Sequence, residues 1–254
     1  MKPICTISFA AFTAITALSF TVTGNDNTND VFPDAGKGFA VVELFTSEGC
    51  SSCPPADDAA IKLAAEFPGK VYFLGFHVDY WDYIGWKDEY AKTSFTERQR
   101  KYGETFHLSS VYTPQAVVNG KKELVGSKEN QLRAIINEQL KETSPSSIEL
   151  TAKAVEKNIT ASYKVSNAGK SDLHIALVQL KGVTNVKRGE NSGHQLNHIN
   201  IVREFKTIEL NNQLSSSVTF SLPKGLSAKE VKLIAYIQEK KAGSITGAAE
   251  ALIQ

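Results

Sequence analysis

Two cysteines separated by two residues, set where a strand gives way to a helix, constrain this chain more than any other feature. Phe39-Ala40-Val41-Val42-Glu43-Leu44-Phe45 is rich in β-branched and aromatic residues, as a buried strand requires. Cys50-Ser51-Ser52-Cys53-Pro54-Pro55 follows at once. It opens an Ala-rich stretch in which Ala60, Leu63, Ala64 and Phe67 recur at helical spacing, until Pro68-Gly69 ends the pattern. Both prolines fall in the first turn, where a missing N–H costs little. A dithiol at a helix N-terminus sits beside free N–H groups and a partial positive charge, which stabilise the reactive thiolate.

Alternation continues beyond the first helix. Val71-Tyr72-Phe73-Leu74-Gly75-Phe76-His77-Val78 reads as a second buried strand, Glu89 to Phe106 as helix-compatible. Ala116-Val117-Val118 and Glu123-Leu124-Val125 flank Asn119-Gly120, a strong hairpin signal. Ser127 is positioned to cap a last helix with Leu132, Ile135, Ile136 and Leu140 on one face. Thr143-Ser144-Pro145-Ser146-Ser147 has linker composition. Past it come short strand-like runs: Ile148–Val155, Ile159–Val165, Leu173–Leu180, Ile201–Ile208, Val218–Leu222 and Val231–Ile237. Such spacing, with no convincing helix, predicts an all-β, sandwich-like domain over 147–254.

At the N-terminus, Lys2 precedes a mainly apolar run from Ile4 to Val22 and then a polar segment. This is the order of a secretory signal peptide, here 1–24, with 25–38 a polar linker. Cleavage would leave no membrane span and place the protein in the periplasm or outside the cell. Cys5 would leave with the leader, so Cys50 and Cys53 would have only each other in an oxidising compartment. Basic and acidic residues number 28 and 27, with no basic stripe, which speaks against a nucleic-acid partner. Zinc takes about four ligands, and no second cysteine pair is present, so no metal or other cofactor is expected. Cys50 is the expected nucleophile and Cys53 the resolving thiol.

Other residues admit two readings each. Thr113-Pro114 precedes a strand, where proline is either cis in a purposeful turn or trans at an ordinary strand start. In the first case the Thr113 backbone and Pro114 would meet an extended peptide opposite the dithiol. Glu43, inside an apolar strand, either relays protons or pairs with a polar partner at the sheet edge. His77 is a hydrogen-bonded structural residue or a neighbour of the dithiol; Trp81 and Trp86 are core aromatics or the lining of a peptide groove. His194 and His198 have a spacing that suits metal only on a helix, which Gly189, Asn191 and Gly193 disfavour.

The run Val41 to Asp57, with Phe76-His77-Val78-Asp79-Tyr80-Trp81-Asp82, Gly85-Trp86-Lys87-Asp88 and Val111-Tyr112-Thr113-Pro114-Gln115, resembles the motifs of a bacterial family of secreted proteins, domain of unknown function 1223. Arg188-Gly189-Glu190-Asn191-Ser192-Gly193 and His198-Ile199-Asn200-Ile201-Val202-Arg203 extend the resemblance into the second half. It implies a thioredoxin-like α/β domain over 39–143 and a cis Pro114, and no established substrate. The expected function is that of an exported thiol-disulfide oxidoreductase whose partners are exported proteins with thiols or disulfides, together with a redox partner. The alternatives are a peptide-binding protein with a static disulfide, and a copper-handling protein using Cys50, Cys53 and His77. From Val41 to Ile61 there is no cation, while Glu43, Glu48, Asp57 and Asp58 are anionic. That local charge predicts a Cys50 thiol toward the reductant-like end of the range, unless distant residues fold close.

Overall fold

The computed structural model describes Met1 and residues 36–254 except Asn212. The expected signal peptide and most of the polar linker lie outside the described residues. Residues 36–254 belong to one compact unit.

Strand β1 (Ala40–Thr46) leads through the dithiol loop into helix α1 (Pro54–Glu66) and strand β2 (Val71–His77). Helix α2 (Thr93–Thr105), the hairpin β3 (Gln115–Val118) and β4 (Lys122–Val125), and helix α3 (Glu129–Gln139) complete the first half. Seven strands follow: β5 (Ser147–Val155), β6 (Asn158–Ser166), β7 (Ser171–Asn185), β8 (Gln195–Glu209), β9 (Ser215–Ser221), β10 (Val231–Glu239) and β11 (Ile245–Leu252). The C-terminal strand β11 has no counterpart in the sequence-based expectation, and β7 and β8 run beyond the strand-like runs Leu173–Leu180 and Ile201–Ile208 to form a long hairpin. Lys128, not Ser127, occupies the N-cap of α3, without a side-chain cap.

A thioredoxin-like α/β domain followed by a separate sandwich-like domain is not the architecture found. Of the described residues 43% are in strands and 20% in helices, and eight strands from both halves make one mixed sheet, β11-β10-β7-β8-β2-β1-β3-β4. The join is β2 with β8, parallel, at Gly75 opposite Ile201. The remaining strands form a small sheet, β5-β6-β9. Periodicity identifies strands one at a time; it carries no information on which edge a strand from 120 residues away will cover. The stretch read as a linker is likewise tied down: Ser146 and Ser147 are buried, and the Ser144 hydroxyl donates to the Thr246 carbonyl at 3.0 Å.

Alternation places the cores. Val41, Phe45, Leu74, Phe76, Val178, Ile234 and Tyr236 face one side of the large sheet, where Phe95 and Tyr102 of α2 cover them. On the other side Ala40, Val42 and Leu44 meet Ala56, Ala60 and Leu63 of α1 and Leu132 and Ile136 of α3. Further along that side Leu173, Ile175, Leu233 and Ala235 pack on Ile159, Ala161 and Phe220 of the small sheet, one sheet upon another. The large sheet curls until the β3–β4 turn meets β11, where the Ile245 N–H donates to the Asn119 carbonyl at 2.9 Å.

Candidate functional site

The dithiol loop leaves β1 in tight turns. The Cys50 N–H donates to the Ser47 carbonyl and the Cys53 N–H to the Cys50 carbonyl, both at 3.1 Å. Cys53 is the N-cap of α1, with Pro54 and Pro55 in the first turn as expected. Both cysteines are free thiols and buried, while Ser51 and Ser52 between them are exposed. Cys50 Sγ lies 3.2 Å from Ser52 Oγ and 3.8 Å from the Thr113 carbonyl, which also accepts from Ser52 Oγ at 3.4 Å.

These contacts split the two thiols. Hydrogen bonding from Cys53, then from Ser52 and Thr113, outweighs burial and lowers Cys50 to about 6. Cys53 goes the other way: burial first, and then Cys50 beside it, drive it well above the ordinary thiol range, although Thr46 and the Ser47 backbone oppose this. The loop thus separates a thiolate from a protonated thiol one helical turn away.

Thr113-Pro114 is cis, the first of the two readings. Trp81 belongs at the site: its Nε1–H donates to Thr113 Oγ1 at 2.8 Å. Its Cβ stands 3.1 Å from where a Gly49 Cβ would be, with Ile84 Cδ1 at 3.2 Å, so the residue before Cys50 has little room for a side chain. Nearby, burial and then the charges of Cys53 and Cys50 raise the Tyr80 phenol to about 12, with the polar groups of Gln99 and Thr113 opposing this.

Glu43 has the polar partner of the second reading, though inside the sheet rather than at its edge. It is fully buried on the face away from α1, where Arg98 grips it with Nε–Oε2 at 2.5 Å and Nη2–Oε1 at 2.8 Å, and Tyr102 donates to it at 2.5 Å. His77 is structural: its Nδ1 lies 2.6 Å from Asp88 Oδ2, which also accepts from the Glu48 N–H at 2.9 Å. Among the described residues no group of three or more His, Cys, Asp or Glu side chains is arranged to hold a metal.

The polar, Gly- and Asn-rich segment 188–203 of the second half reads as a long hairpin or loop leaning toward the dithiol, and in the structure it does so. Between β7 and β8, Gly189-Glu190-Asn191 lies across the dithiol loop. The Asn191 carboxamide donates to the carbonyls of Glu48 and Cys50 at 2.9 and 3.0 Å, and Glu190 accepts from the Ser51 N–H at 3.1 Å. Gly189, at φ +77°, passes within 3.2 Å of Ile84 as judged by its absent Cβ, a turn and a close approach together. Below, His198 of β8 reaches Asp57 of α1 (Nδ1–Oδ2 3.1 Å) and Glu48 (Nε2–Oε1 3.6 Å). Glu48 also accepts from Trp86 Nε1–H at 2.7 Å. The cation-free stretch around the dithiol is a further sequence signal for these contacts: three of its carboxylates, Glu43, Glu48 and Asp57, are buried, and a buried carboxylate needs a partner from somewhere. His194, by contrast, is exposed just before β8 and takes no part.

Comparison with known proteins agrees in outline. No curated protein matches the chain. A crystal structure of a protein from Agrobacterium tumefaciens is 28% identical, with a TM-score of 0.66, over 86% of this chain and 95% of that one. HBP35 of Porphyromonas gingivalis shares the fold at 19% identity, with a TM-score of 0.56, over 86% of this chain and 76% of that one. The family model described as "Protein of unknown function (DUF1223)" matches residues 41–238, a span holding the dithiol loop, Thr113-Pro114 and the Asn191–His198 segment alike, and the chain belongs to that family.

Proposed function

We propose that this protein is an exported thiol-disulfide oxidoreductase that acts on protein partners through Cys50 and Cys53. The observation that carries the reading is the split between the two thiols, Cys50 lowered to about 6 and Cys53 raised by burial. At neutral pH this supplies one nucleophile and one proton-bearing resolving group, as exchange requires.

The Cys50 thiolate attacks a partner disulfide. A Cys50–partner S–S bond forms, the partner's S–S bond breaks, and the departing sulfur leaves as a thiolate that takes up a proton. Cys53 then loses its proton and attacks Cys50 Sγ; the Cys50–Cys53 bond forms and the partner's second thiolate is released. The partner disulfide gains the two electrons that the dithiol loses. A value near 6 stands closer to the ~7 of reducing dithiols than to the ~3.5 of strong oxidants, which favours this direction. An electron-donating dithiol protein would return Cys50 and Cys53 to the reduced state. Thr113 and Pro114, across from Cys50, with Trp81 beside them, form the edge on which a partner segment would lie.

The test is trapping. Cys53→Ser should accumulate mixed disulfides with exported proteins, and Cys50→Ser should not. Equal trapping by both variants, or faster alkylation of Cys53 than of Cys50 in the reduced protein, would reject the assignment. No exchange with any disulfide by the wild type would leave the static peptide-binding reading in its place.

A further inference from the structure

The dithiol segment is anionic in sequence and holds no cation from Val41 to Ile61. Four carboxylates should raise the Cys50 thiol by repulsion. In the fold, three of them meet partners from distant elements. Glu43 is taken by Arg98 on the far face of the sheet. Glu48 and Asp57 flank the dithiol, one before Cys50 and one in the first turn of α1, and both are buried with a single imidazole between them. Asp58, the fourth, is exposed.

That imidazole is His198, itself buried. Its Nδ1 lies 3.1 Å from Asp57 and its Nε2 3.6 Å from Glu48 Oε1, and neither Nε2 nor Oε1 has a hydrogen-bond partner among the described residues. Around it stand His77 of β2, with ring centroids 4.9 Å apart, and Tyr90, at 6.1 Å. Asp88 lies behind His77. Two carboxylates out of water favour the doubly protonated imidazole, which donates to Asp57 and sets its second N–H toward Glu48.

We infer that His198 is a positioning residue of the dithiol site: its imidazolium, set between Asp57 and Glu48, offsets one of the two negative charges flanking the dithiol and so keeps Cys50 ionised near neutral pH. This rests on the thiol-exchange reading above. It also gives the second half of the chain a role in the chemistry. Burial alone would push His198 down, and Asp57 and Glu48 reverse that, raising it to about 10.

Two measurements on the reduced full-length protein decide it. Nitrogen chemical shifts of the labelled histidines should show His198 protonated on both ring nitrogens at pH 7; a neutral tautomer there overturns the inference. In His198→Gln the midpoint of iodoacetamide reaction at Cys50 should rise by about one pH unit, a roughly tenfold slower reaction at pH 5. Adding Asp57→Asn should restore the rate to within about twofold, because one anion has been removed with the cation, which a merely structural role would not do. A normal wild-type midpoint that ignores His198→Gln, or a double variant that stays slow, removes this role alone. A wild-type Cys50 with no midpoint below pH 8 brings down the thiol chemistry itself and this role with it.

Discussion

Asn191 is the residue on which the geometry of the dithiol loop most depends. Its carboxamide donates to the carbonyl of Glu48 and to that of Cys50, which also accepts from the Cys53 N–H. Asn191→Ala should destabilise the protein by about 1–3 kcal/mol, since the buried Glu48 carbonyl loses this donor, and a urea titration showing a loss under ~0.5 kcal/mol would contradict the account. His198 makes a pH prediction. Its folded pKa, about 10, lies above the ~6.5 of an unfolded histidine, so the native state binds the extra proton between those values. The stabilisation is complete below about pH 6.5 and is lost as pH rises through 10. In a Cys50→Ser Cys53→Ser background, which removes the thiols' own titration, the urea midpoint should fall across that window. His198→Gln should flatten the slope, and an unchanged slope would show that His198 does not carry it.

At the scale of elements, β1 shows how a strand serves two faces. Ala40, Val42 and Leu44 hold α1 in place and thereby set the dithiol at its N-terminus, while Val41, Glu43 and Phe45 point to the opposite core. On that side α2 brings in Arg98, which joins Glu43 of β1 to Tyr236 and Gln238 of β10 at 2.7 and 2.9 Å. Arg98→Met leaves the Glu43 carboxylate buried without its cation and should cost about 3–5 kcal/mol in denaturant unfolding. Adding Glu43→Gln should recover part of that loss; additive losses would mean the two groups are not coupled. Helix α1 tests the other face. Leu63→Ala, at a fully buried site against β1 and α3, should cost about 2–5 kcal/mol by opening a cavity.

Over the whole molecule, the dithiol site is built by both halves of one sheet. Strand β2 takes β8 on its free side, and the Glu190–Asn191 and His198 contacts descend from the same β7–β8 hairpin. A fragment ending at residue 143 would expose that edge of β2 and leave Glu48 and Asp57 without their imidazole. It should show no cooperative unfolding transition, whereas the full chain should; a fragment melting within a few degrees of the full chain would refute the shared-sheet view. Limited proteolysis should not cut first at Ser144–Ser147, because Ser146 and Ser147 are buried and that backbone is bonded to Thr246.

By itself the sequence determined what depends on neighbours along the chain. The β1–α1–β2 succession, the Cys50 and Cys53 placement, the prolines of the first helical turn and the Asn119-Gly120 turn all follow from local propensity and from side-chain periods of two and 3.6 residues. The family motifs reached further, marking Pro114, Asn191 and His198, though without their purpose. Only the tertiary structure decided that two expected domains would share one sheet, that Glu43 would face Arg98 rather than the dithiol, and that Trp81 would stand over Gly49. It also decided that Glu48 and Asp57 would find their partner in His198, some 140 residues later. The physical reason is common to all four: strand pairing and charge compensation depend on which groups are brought close after burial, and separation in sequence bears no fixed relation to that distance.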